Sequence, residues 1–407
     1  MLLRRLIGAQ RRTGITQFLK TSVSDIGMHD IKLFQFRLEI NMNIKSLLLG
    51  SAAALVAVSG ARAADAIVVA EPEPAEYVRI CDVYGAGYFY IPGTETCLRV
   101  GGYLRYDASF GEAGSFDGRD AIDVRNGDSQ RTWGKQARFG LKTWTGQETE
   151  LGTLKTFAEF RMNYGTQGTG PWRGYQNGSL DTTTNFAYMQ LGGFRVGIDE
   201  SAFSTFLGYA GNVTNDTLIQ YGSFTTGVVQ YYFDAGNGFS GVVSLEEGSG
   251  DSTIDSYVPH VIGGVKFTQG WGSIGAVVAY DSNDEKITGK IRADVKVNDQ
   301  FSLFGMFGYG SFDDRDYAYT DWNKAWRGHW AAFGGATYDV NEKVQLNAQV
   351  SYESAKAWAL AANVAYSPVP GFQIIPEINY KKWSNNADYN QVSDSAWGGI
   401  IRFQRDF

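Results

Sequence analysis

The chain has 407 residues, of which 43% are hydrophobic and 14% aromatic, and its formal net charge is −7. No apolar stretch reaches the roughly 18 residues that a membrane-spanning helix needs, which excludes a helical membrane protein. The excess of acidic residues disfavours nucleic acid and other polyanions as partners.

The first part of the chain has the features of a targeting segment. Residues 42–63 begin with a short positive stretch, continue with an apolar run over 47–58 and end in a small-residue cleavage motif at Ala63. This order is typical of a secretory signal peptide. We interpret residues 1–41 as translation from an upstream start or as a basic leader, and in either case as absent from the mature protein.

Removal of residues 1–63 makes the remaining chain more acidic. That segment holds nine Lys and Arg against three Asp and Glu, which leaves 27 basic and 40 acidic residues and a net charge of −13. Much of this charge falls in loops, where salt screens it.

Residues 64–97 have no clear periodicity and contain both cysteines of the chain, Cys81 and Cys97. A secreted protein enters an oxidising compartment, so a structural disulfide is expected between them. It would close a loop of about 15 residues and stabilise the fold by roughly 3 kcal/mol in the chain-entropy model. We therefore predict a small, disulfide-bonded periplasmic head before the main domain.

From Leu98 onward, apolar and polar side chains alternate with the period of a β-strand. The clearest case is the segment 286–297, whose apolar residues alternate with five charged residues. Charges in register along one face are expected to face water, which a lumen supplies. The basic members predicted to line this lumen are Lys286, Lys290, Arg292 and Lys296. The pattern predicts an all-β, transmembrane antiparallel barrel over 98–407.

The alternating segments give about sixteen strands, with fourteen and eighteen as the alternatives. Short turns and long loops rich in Gly, Asp, Asn and Ser follow them in turn, which is typical of short periplasmic turns and long extracellular loops. Sixteen strands leave an aqueous channel. The predicted strands are roughly 98–110, 132–145, 152–164, 184–191, 194–199, 218–233, 239–247, 257–267, 271–281, 286–297, 301–310, 328–340, 344–353, 356–366, 372–380 and 396–407.

The last strand ends in an aromatic residue, Phe407. A terminal aromatic on an alternating strand resembles the assembly signal by which bacterial outer-membrane barrels engage the barrel assembly machinery. That signal usually has an apolar residue at the third position from the end, where this chain has Arg405.

Four motifs are similar to those of the alphaproteobacterial porins of the Brucella and Rhizobium type. They are EYVRICDVYGAGYFYIPGTETC at 76–97, TELGTLKT at 149–156, MQLGGFRVGIDES at 189–201, and the tail 397–407. The resemblance spans essentially residues 42–407. It implies a sixteen-stranded, homotrimeric general-diffusion porin of the bacterial outer membrane, embedded in lipid and lipopolysaccharide and needing no cofactor.

In such porins the third long loop folds into the lumen and narrows it, and by order that loop is 200–217. The resemblance implies an acidic side of the constriction made by Asp199, Glu200 and Asp216. It implies an opposite basic wall made by Arg99, Arg105, Arg138, Lys142 and Arg161. Opposed charges would create a transverse field that filters solutes. The alternative for each residue is that it solvates the lumen or forms a salt bridge within the wall.

The leading hypothesis is therefore a passive pore for small hydrophilic solutes and ions. The alternative is a structural barrel that tethers the outer membrane to peptidoglycan through its N-terminus. Ala64 and Asp65 match the start of alphaproteobacterial barrels that are attached covalently to peptidoglycan. Ala64 is thus the candidate attachment residue.

The sequence gives no support for an enzyme or a metal site. Beyond residue 63 it has two isolated histidines, His260 and His329. It contains no H-E-x-x-H motif, no P-loop and no G-x-S-x-G nucleophile elbow. We expect no catalytic residue, no metal and no cofactor.

Overall fold

The computed structural model describes residues 79–114, 116–165, 181–312, 321–383 and 394–407. They all fall in one compact unit of the chain, Ala75–Phe407. The predicted leader (1–41), signal peptide (42–63) and attachment residue Ala64 lie outside the described residues and stay predictions. Within the described part, no helix has both the length and the hydropathy needed to cross a membrane.

Antiparallel strands account for most of the described residues. One helical turn, α1, covers Ala202–Thr205, and a 3₁₀ turn covers Gly250–Ser252. The strands are β1 (Phe89–Tyr90), β2 (Cys97–Gly111), β3 (Arg119–Ile122), β4 (Ser129–Thr132), β5 (Gly134–Thr149), β6 (Gly152–Gly165), β7 (Asp181–Leu191), β8 (Phe194–Glu200), β9 (Thr225–Asp234), β10 (Phe239–Glu246), β11 (His260–Gln269), β12 (Gly272–Asp281), β13 (Lys286–Lys296), β14 (Phe301–Gly310), β15 (Trp330–Asn341), β16 (Val344–Glu353), β17 (Trp358–Val369), β18 (Phe372–Lys382) and β19 (Ser395–Asp406).

Sixteen of these strands, β2 and β5 to β19, form a closed barrel. Each strand pairs with its neighbours along the chain, and β19 closes the ring by pairing with β2. The end of the chain takes part in closure, because the backbone N–H of Phe407 donates to the carbonyl of Gly102 at 3.0 Å. A closed sheet leaves no unpaired edge in lipid. The prediction of a sixteen-stranded antiparallel barrel is confirmed.

Side chains along each strand point alternately to lipid and to the lumen. In β13, Ile287 and Ile291 are 55% and 59% exposed on the outer surface, whereas Lys290 between them is 2% exposed. Exposed aromatic side chains near the ends of strands form bands on the outer surface, as expected for the two membrane interfaces. Members of the two bands include Phe233, Phe267, Trp271 and Tyr366 near the short turns, and Tyr309, Tyr352 and Trp397 near the long loops.

The lipid-facing position of Ile291 makes a direct prediction about stability. Ile291→Arg is expected to destabilise the folded barrel by about 2–4 kcal/mol, because this residue lies at the centre of β13 and a charge at the bilayer midplane is costly. The measurement is denaturant unfolding in lipid vesicles. Ile291→Val serves as the control and should lose about 1 kcal/mol or less. Equal stability of the arginine variant and the wild type would contradict this orientation of β13.

One predicted strand was too long. The segment 218–233 alternates, but β9 begins only at Thr225. Leu218 and Tyr221 belong instead to a loop that packs inside the barrel, where they are buried. Their amphipathic pattern reflects the packing of one face of a loop against the wall and not the pleat of a strand.

The expected disulfide between Cys81 and Cys97 is present, with a Cα–Cα distance of 6.1 Å. It joins the head to the first residue of β2, and β1 pairs with the same strand. The hydroxyl of Tyr84 donates to Glu148 Oε1 at 2.9 Å, so the head is also bound to the end of β5. Burial, reinforced by this carboxylate, raises the pKa of Tyr84 to about 12. The head is therefore held at the short-turn end of the barrel.

Candidate functional site

Residues 201–224 leave the wall after β8 and fold into the lumen; we call this segment the inserted loop. The side chain of Ser201 caps α1, accepting a hydrogen bond from the backbone N–H of Phe203 at 3.2 Å. Ala202 and Phe203 are completely buried, although the lumen of a wide membrane barrel is polar. They are buried because the inserted loop packs directly against the wall.

The contact between the inserted loop and the wall is a small hydrophobic core. Burial of each large apolar side chain there stabilises the folded state by about 1.5–3 kcal/mol. The contact therefore holds the loop against β10 to β17. The loop contributes Ala202, Phe203, Leu207, Ala210, Val213, Leu218, Ile219 and Tyr221. The wall contributes inward-facing residues that include Val242, Ile262, Val277, Met306, Phe333 and Ala359.

A buried carboxylate, Glu377 on β18, anchors the middle of the inserted loop. Its Oε1 accepts hydrogen bonds from the backbone N–H of Asn215 at 2.9 Å and from the Asn215 side chain at 3.0 Å. Its Oε2 accepts one from the backbone N–H of Thr214 and one from Asn363 Nδ2, the latter at 3.0 Å. One side chain thus satisfies four donors, three of them from the loop.

Two of the predicted lumen-lining residues of β13 lie beneath the inserted loop. Lys290 is 2% exposed, and its Nζ donates to the carbonyl of Tyr221 at 2.7 Å. Arg292 Nη1 donates to the carbonyl of Gly208 at 3.3 Å. Both point to the lumen side of the wall, but they contact the loop backbone there instead of open water.

The other two predicted residues of β13 lie at its ends. Lys286 contacts an aromatic ring, with its Nζ 4.1 Å from the ring centroid of Phe312. Lys296 is exposed beside a short turn and forms an ion pair with Asp299 at 3.0 Å. These two ammonium groups therefore mark the two rims of the barrel.

A second segment, residues 321–326, also packs inside the lumen, and the sequence analysis missed it. Trp322 and Trp326 are buried, and the ring of Trp326 stacks on Phe203 of α1 at 6.5 Å. Trp322 Nε1 donates to Glu246 Oε2 at 2.8 Å, while Glu246 Oε1 accepts from the N–H of Ala202 at 2.8 Å. The two segments are thus joined through one wall carboxylate.

The three predicted acids of the constriction differ in their partners. Asp199 is buried and forms an ion pair with Arg195 on its own strand at 2.5 Å. Glu200 accepts a hydrogen bond from the hydroxyl of Tyr209 in the inserted loop. Asp199 is therefore compensated within the wall, whereas Glu200 lies where the loop enters the lumen.

Asp216 lies in the inserted loop itself. Its Oδ2 accepts a hydrogen bond from the hydroxyl of Tyr221 at 2.6 Å. Burial raises the pKa of Asp216 to about 6, above its ordinary value of 3.8, although the hydrogen bond from Tyr221 opposes the shift. Its charge can therefore change at mildly acidic pH.

The predicted basic residues project inward from β2, β5 and β6. Arg105 Nε donates to Gln404 at 2.7 Å, and Arg138 Nε donates to Asn163 at 2.6 Å. Both guanidinium groups are thus oriented by neutral amides, and neither is hydrogen bonded to a carboxylate of the described residues. Arg402 of β19 is close enough to Arg105 for the two charges to interact.

The other predicted basic residues are in different surroundings. Glu159 forms ion pairs with both Arg161, at 2.6 Å, and Lys142, at 3.7 Å. Arg99 lies nearer the short turns, where its guanidinium group sits 4.6 Å from the ring centroid of Trp144. The predicted wall therefore divides into a central group and one outlying residue.

Among the charged residues of the lumen that were not predicted are Arg402, Asp107 and Glu377. Arg402 forms an ion pair with Asp107 at 2.8 Å and extends the basic wall to β19, and Glu377 anchors the loop. The inward orientation of Arg402 could have been predicted from the sequence, because this residue lies on the polar face of the last alternating strand. Glu377 shares such a face with Asn379, but nothing in the sequence indicates which loop would contact it.

The chain matches the family model described as a porin subfamily over residues 65–400. The chain belongs to this porin family. The porin Omp2b of Brucella canis and that of Brucella abortus (strain 2308) are each 52% identical to it over 377 residues, which cover 90% of this chain and all of the relative. The protein is a passive diffusion pore of the outer membrane, and the tethering alternative is not favoured over it.

Solved structures agree with the porin fold. The outer membrane channel DcaP of Acinetobacter baumannii superposes with a TM-score of 0.54 at 17% identity, covering 78% of this porin and 99% of that chain. A variant of the Rh. blastica porin superposes with a TM-score of 0.50 at 15% identity, covering 76% and 100%. At these identities the comparison supports the barrel architecture only. The family is one of channels rather than of enzymes.

Proposed function

We propose that ions and small hydrophilic solutes cross this pore between an acidic edge, at the end of β8 and in the inserted loop, and a basic wall opposite it. Glu200 and Asp216 supply the acidic edge, because Asp199 is held by Arg195. Opposed charges create a transverse field that orients water and dipolar solutes. The basic wall consists of Arg105, Arg138, Lys142, Arg161 and Arg402.

The observation that carries this proposal is that the inserted loop covers only one side of the lumen. It packs against β10 to β17 and is anchored to Glu377 of β18, whereas the basic side chains project from β2, β5, β6 and β19. Glu200, at the end of β8, is close enough to Arg161 and Glu159 of the neighbouring wall for their charges to interact. The two charged surfaces therefore line the same narrow passage.

Lowering the pH from 7.5 to 5 is expected to shift this pore toward anions. The pKa of Asp216 is about 6, so this carboxylate is charged at pH 7.5 and mostly protonated at pH 5. One charge at ~7 Å in water is worth about 0.6 kcal/mol, so we expect the cation-to-anion permeability ratio to fall by about two- to threefold. The measurement is the reversal potential of single channels in a planar bilayer under a KCl gradient.

Asp216→Asn tests the assignment of this effect. This variant should have the lower cation-to-anion permeability ratio already at pH 7.5, and the ratio should lose most of its dependence on pH. Asp251→Asn, which removes an exposed acid of an outer loop, is the control and should keep the pH dependence of the wild type. A pH response that survives in Asp216→Asn would place the titrating group elsewhere.

The same pKa shift has a consequence for stability. The folded loop retains the proton of Asp216 up to a pH of about 6, whereas an unfolded aspartate releases it near 4. The contribution of Asp216 to stability therefore increases as the pH falls from about 6 to 4 and is absent above pH 6.

A protein that conducts no current in any of the planar-bilayer recordings would contradict the proposal as a whole.

We propose that three copies of the chain form the working unit, as porins generally do. The support is a polar patch on the outer surface of β5 to β7, where hydroxyl groups would be poorly placed against lipid. Two of them, on Thr145 and Thr156, are 2.6 Å apart. The patch consists of Thr143, Thr145, Thr156, Thr182 and Thr184. Equal conductance steps in groups of three are expected in the same recordings, with the rest of the outer surface facing lipid and lipopolysaccharide.

A further inference from the structure

A row of aromatic and basic side chains crosses the lumen wall near the short turns, away from the constriction. It consists of Arg99, Trp144, Phe157, Tyr188, Arg195 and Tyr232, one from each of β2, β5, β6, β7, β8 and β9. Five strand spacings of about 4.8 Å give this row a length of roughly 24 Å along the wall. The diffusion mechanism described above uses only one member of the row, Arg195, which holds Asp199.

The members of the row contact one another in sequence. The guanidinium group of Arg99 lies 4.6 Å from the ring of Trp144, and the ring of Phe157 lies 5.4 Å from Trp144 and 5.6 Å from Tyr188. Arg195 lies 4.2 Å from the ring of Tyr188. The four rings are partly exposed, so a solute moving along the wall can contact each ring before it leaves the previous one.

The row ends in a cavity of about 600 Å³ beneath the inserted loop. Tyr232 and Arg195 form one side of this cavity, and Lys266 and Phe206 form the other. Lys266 Nζ donates to the carbonyl of Phe206 at 3.1 Å, which leaves two of its three N–H donors for a solute. The cavity therefore combines aromatic surface with ammonium and guanidinium donors, and its lining also includes one carboxylate, that of Asp234.

The charge of the row is positive. Arg195 is neutralised by Asp199, but neither Arg99 nor Lys266 takes part in an ion pair among the described residues. The row and its cavity thus have a cationic group at each end and aromatic rings between them. This arrangement is complementary to an anion that carries a planar ring. A neutral saccharide would use the rings but would leave both cations without a counter-charge.

We propose that this row and its cavity form a weak binding track for anionic solutes with a planar ring, such as aromatic carboxylates and phosphates. The ring of the solute contacts Trp144, Phe157 and Tyr188 in turn, while its anionic group is attracted to Arg99 at one end and to Lys266 at the other. Several weak adjacent sites permit entry without preventing exit. The proposal rests on the open diffusion pore described above.

The test compares benzoate with cyclohexanecarboxylate, which has similar size and charge but no aromatic face. The half-blocking concentration of each anion is read from the decrease in single-channel KCl current. We expect benzoate to block at about two- to tenfold lower concentration, the range that aromatic pairing provides. Phe157→Leu should reduce this preference, and Lys266→Gln should weaken the block by both anions.

Phe304→Leu is the matched control. Phe304 lies on β14, outside the row, and its inward phenyl ring contacts the guanidinium group of Arg292. This substitution should leave the preference for benzoate unchanged. The KCl current recorded before the solute is added shows separately that each variant conducts. A variant that forms no conducting pore is thereby distinguished from one that has lost only the binding track. Equal block by the two anions, an equal effect of Phe304→Leu and Phe157→Leu, or stronger block by maltotriose than by benzoate would overturn the proposal.

Discussion

Glu377→Ala is expected to release the inserted loop from the barrel wall and to raise the conductance of the pore. The substitution removes the acceptor for the backbone N–H groups of Thr214 and Asn215 and for the side chains of Asn215 and Asn363. Each buried donor left without a partner costs about 1–3 kcal/mol, so the attachment should weaken by roughly 3 kcal/mol or more. The hydrophobic contact around Phe203 remains, so the barrel itself should still fold.

The measurement is single-channel conductance together with the size of its fluctuations. We expect larger and noisier openings in Glu377→Ala than in the wild type. Glu377→Gln is the matched control, because its amide oxygen still accepts hydrogen bonds and only the charge and one acceptor are lost; its conductance should lie between the two. Unchanged conductance and noise in Glu377→Ala would show that the apolar contact alone holds the loop.

Neutralising Arg105 and Arg138 together is expected to shift the pore toward cations. Both guanidinium groups are hydrogen bonded to neutral amides, so Arg105→Gln with Arg138→Gln removes two positive charges without exposing an unpaired carboxylate. Two charges at ~7 Å in water are worth about 1.2 kcal/mol before screening by salt. We therefore expect the cation-to-anion permeability ratio to rise about two- to fivefold, measured by the reversal potential.

Lys296→Gln is the control for this double variant. It also removes a positive charge, but Lys296 lies beside a short turn and is paired with Asp299. Its reversal potential should stay within experimental error of the wild type. If Lys296→Gln shifted selectivity as much as the double variant, the selection of ions would depend on the total charge of the pore and not on the basic wall.

The two sets of variants separate two properties of one site. Glu377 determines where the inserted loop lies, whereas Arg105 and Arg138 determine the field across the opening that the loop leaves. Loss of the anchor should change conductance more than selectivity, and loss of the wall charges should do the reverse. Variants of Phe157 in the aromatic row should change neither property in KCl, because this row lies on the short-turn side of the constriction.

The sequence by itself determined the barrel and the orientation of its strands. Alternation assigns the face of most residues in a strand, because the backbone pleat has a period of two and one register satisfies both lipid and lumen. Ile291 and Lys290 were assigned to opposite faces on this basis, and the structure places them so. The disulfide between Cys81 and Cys97 followed from the expected secretion of the chain and is present.

Only the tertiary structure decided which residues of the lumen face are exposed to water. Lys290 occupies the lumen face, yet the inserted loop covers it, and the contact joins residues 69 positions apart. The bond between Asn215 and Glu377 joins residues 162 positions apart, and Trp322 meets Glu246 across 76. Local periodicity reports which side of the sheet a residue occupies. It carries no information about which distant loop will fold against that side, because that depends on packing between segments that have no common repeat.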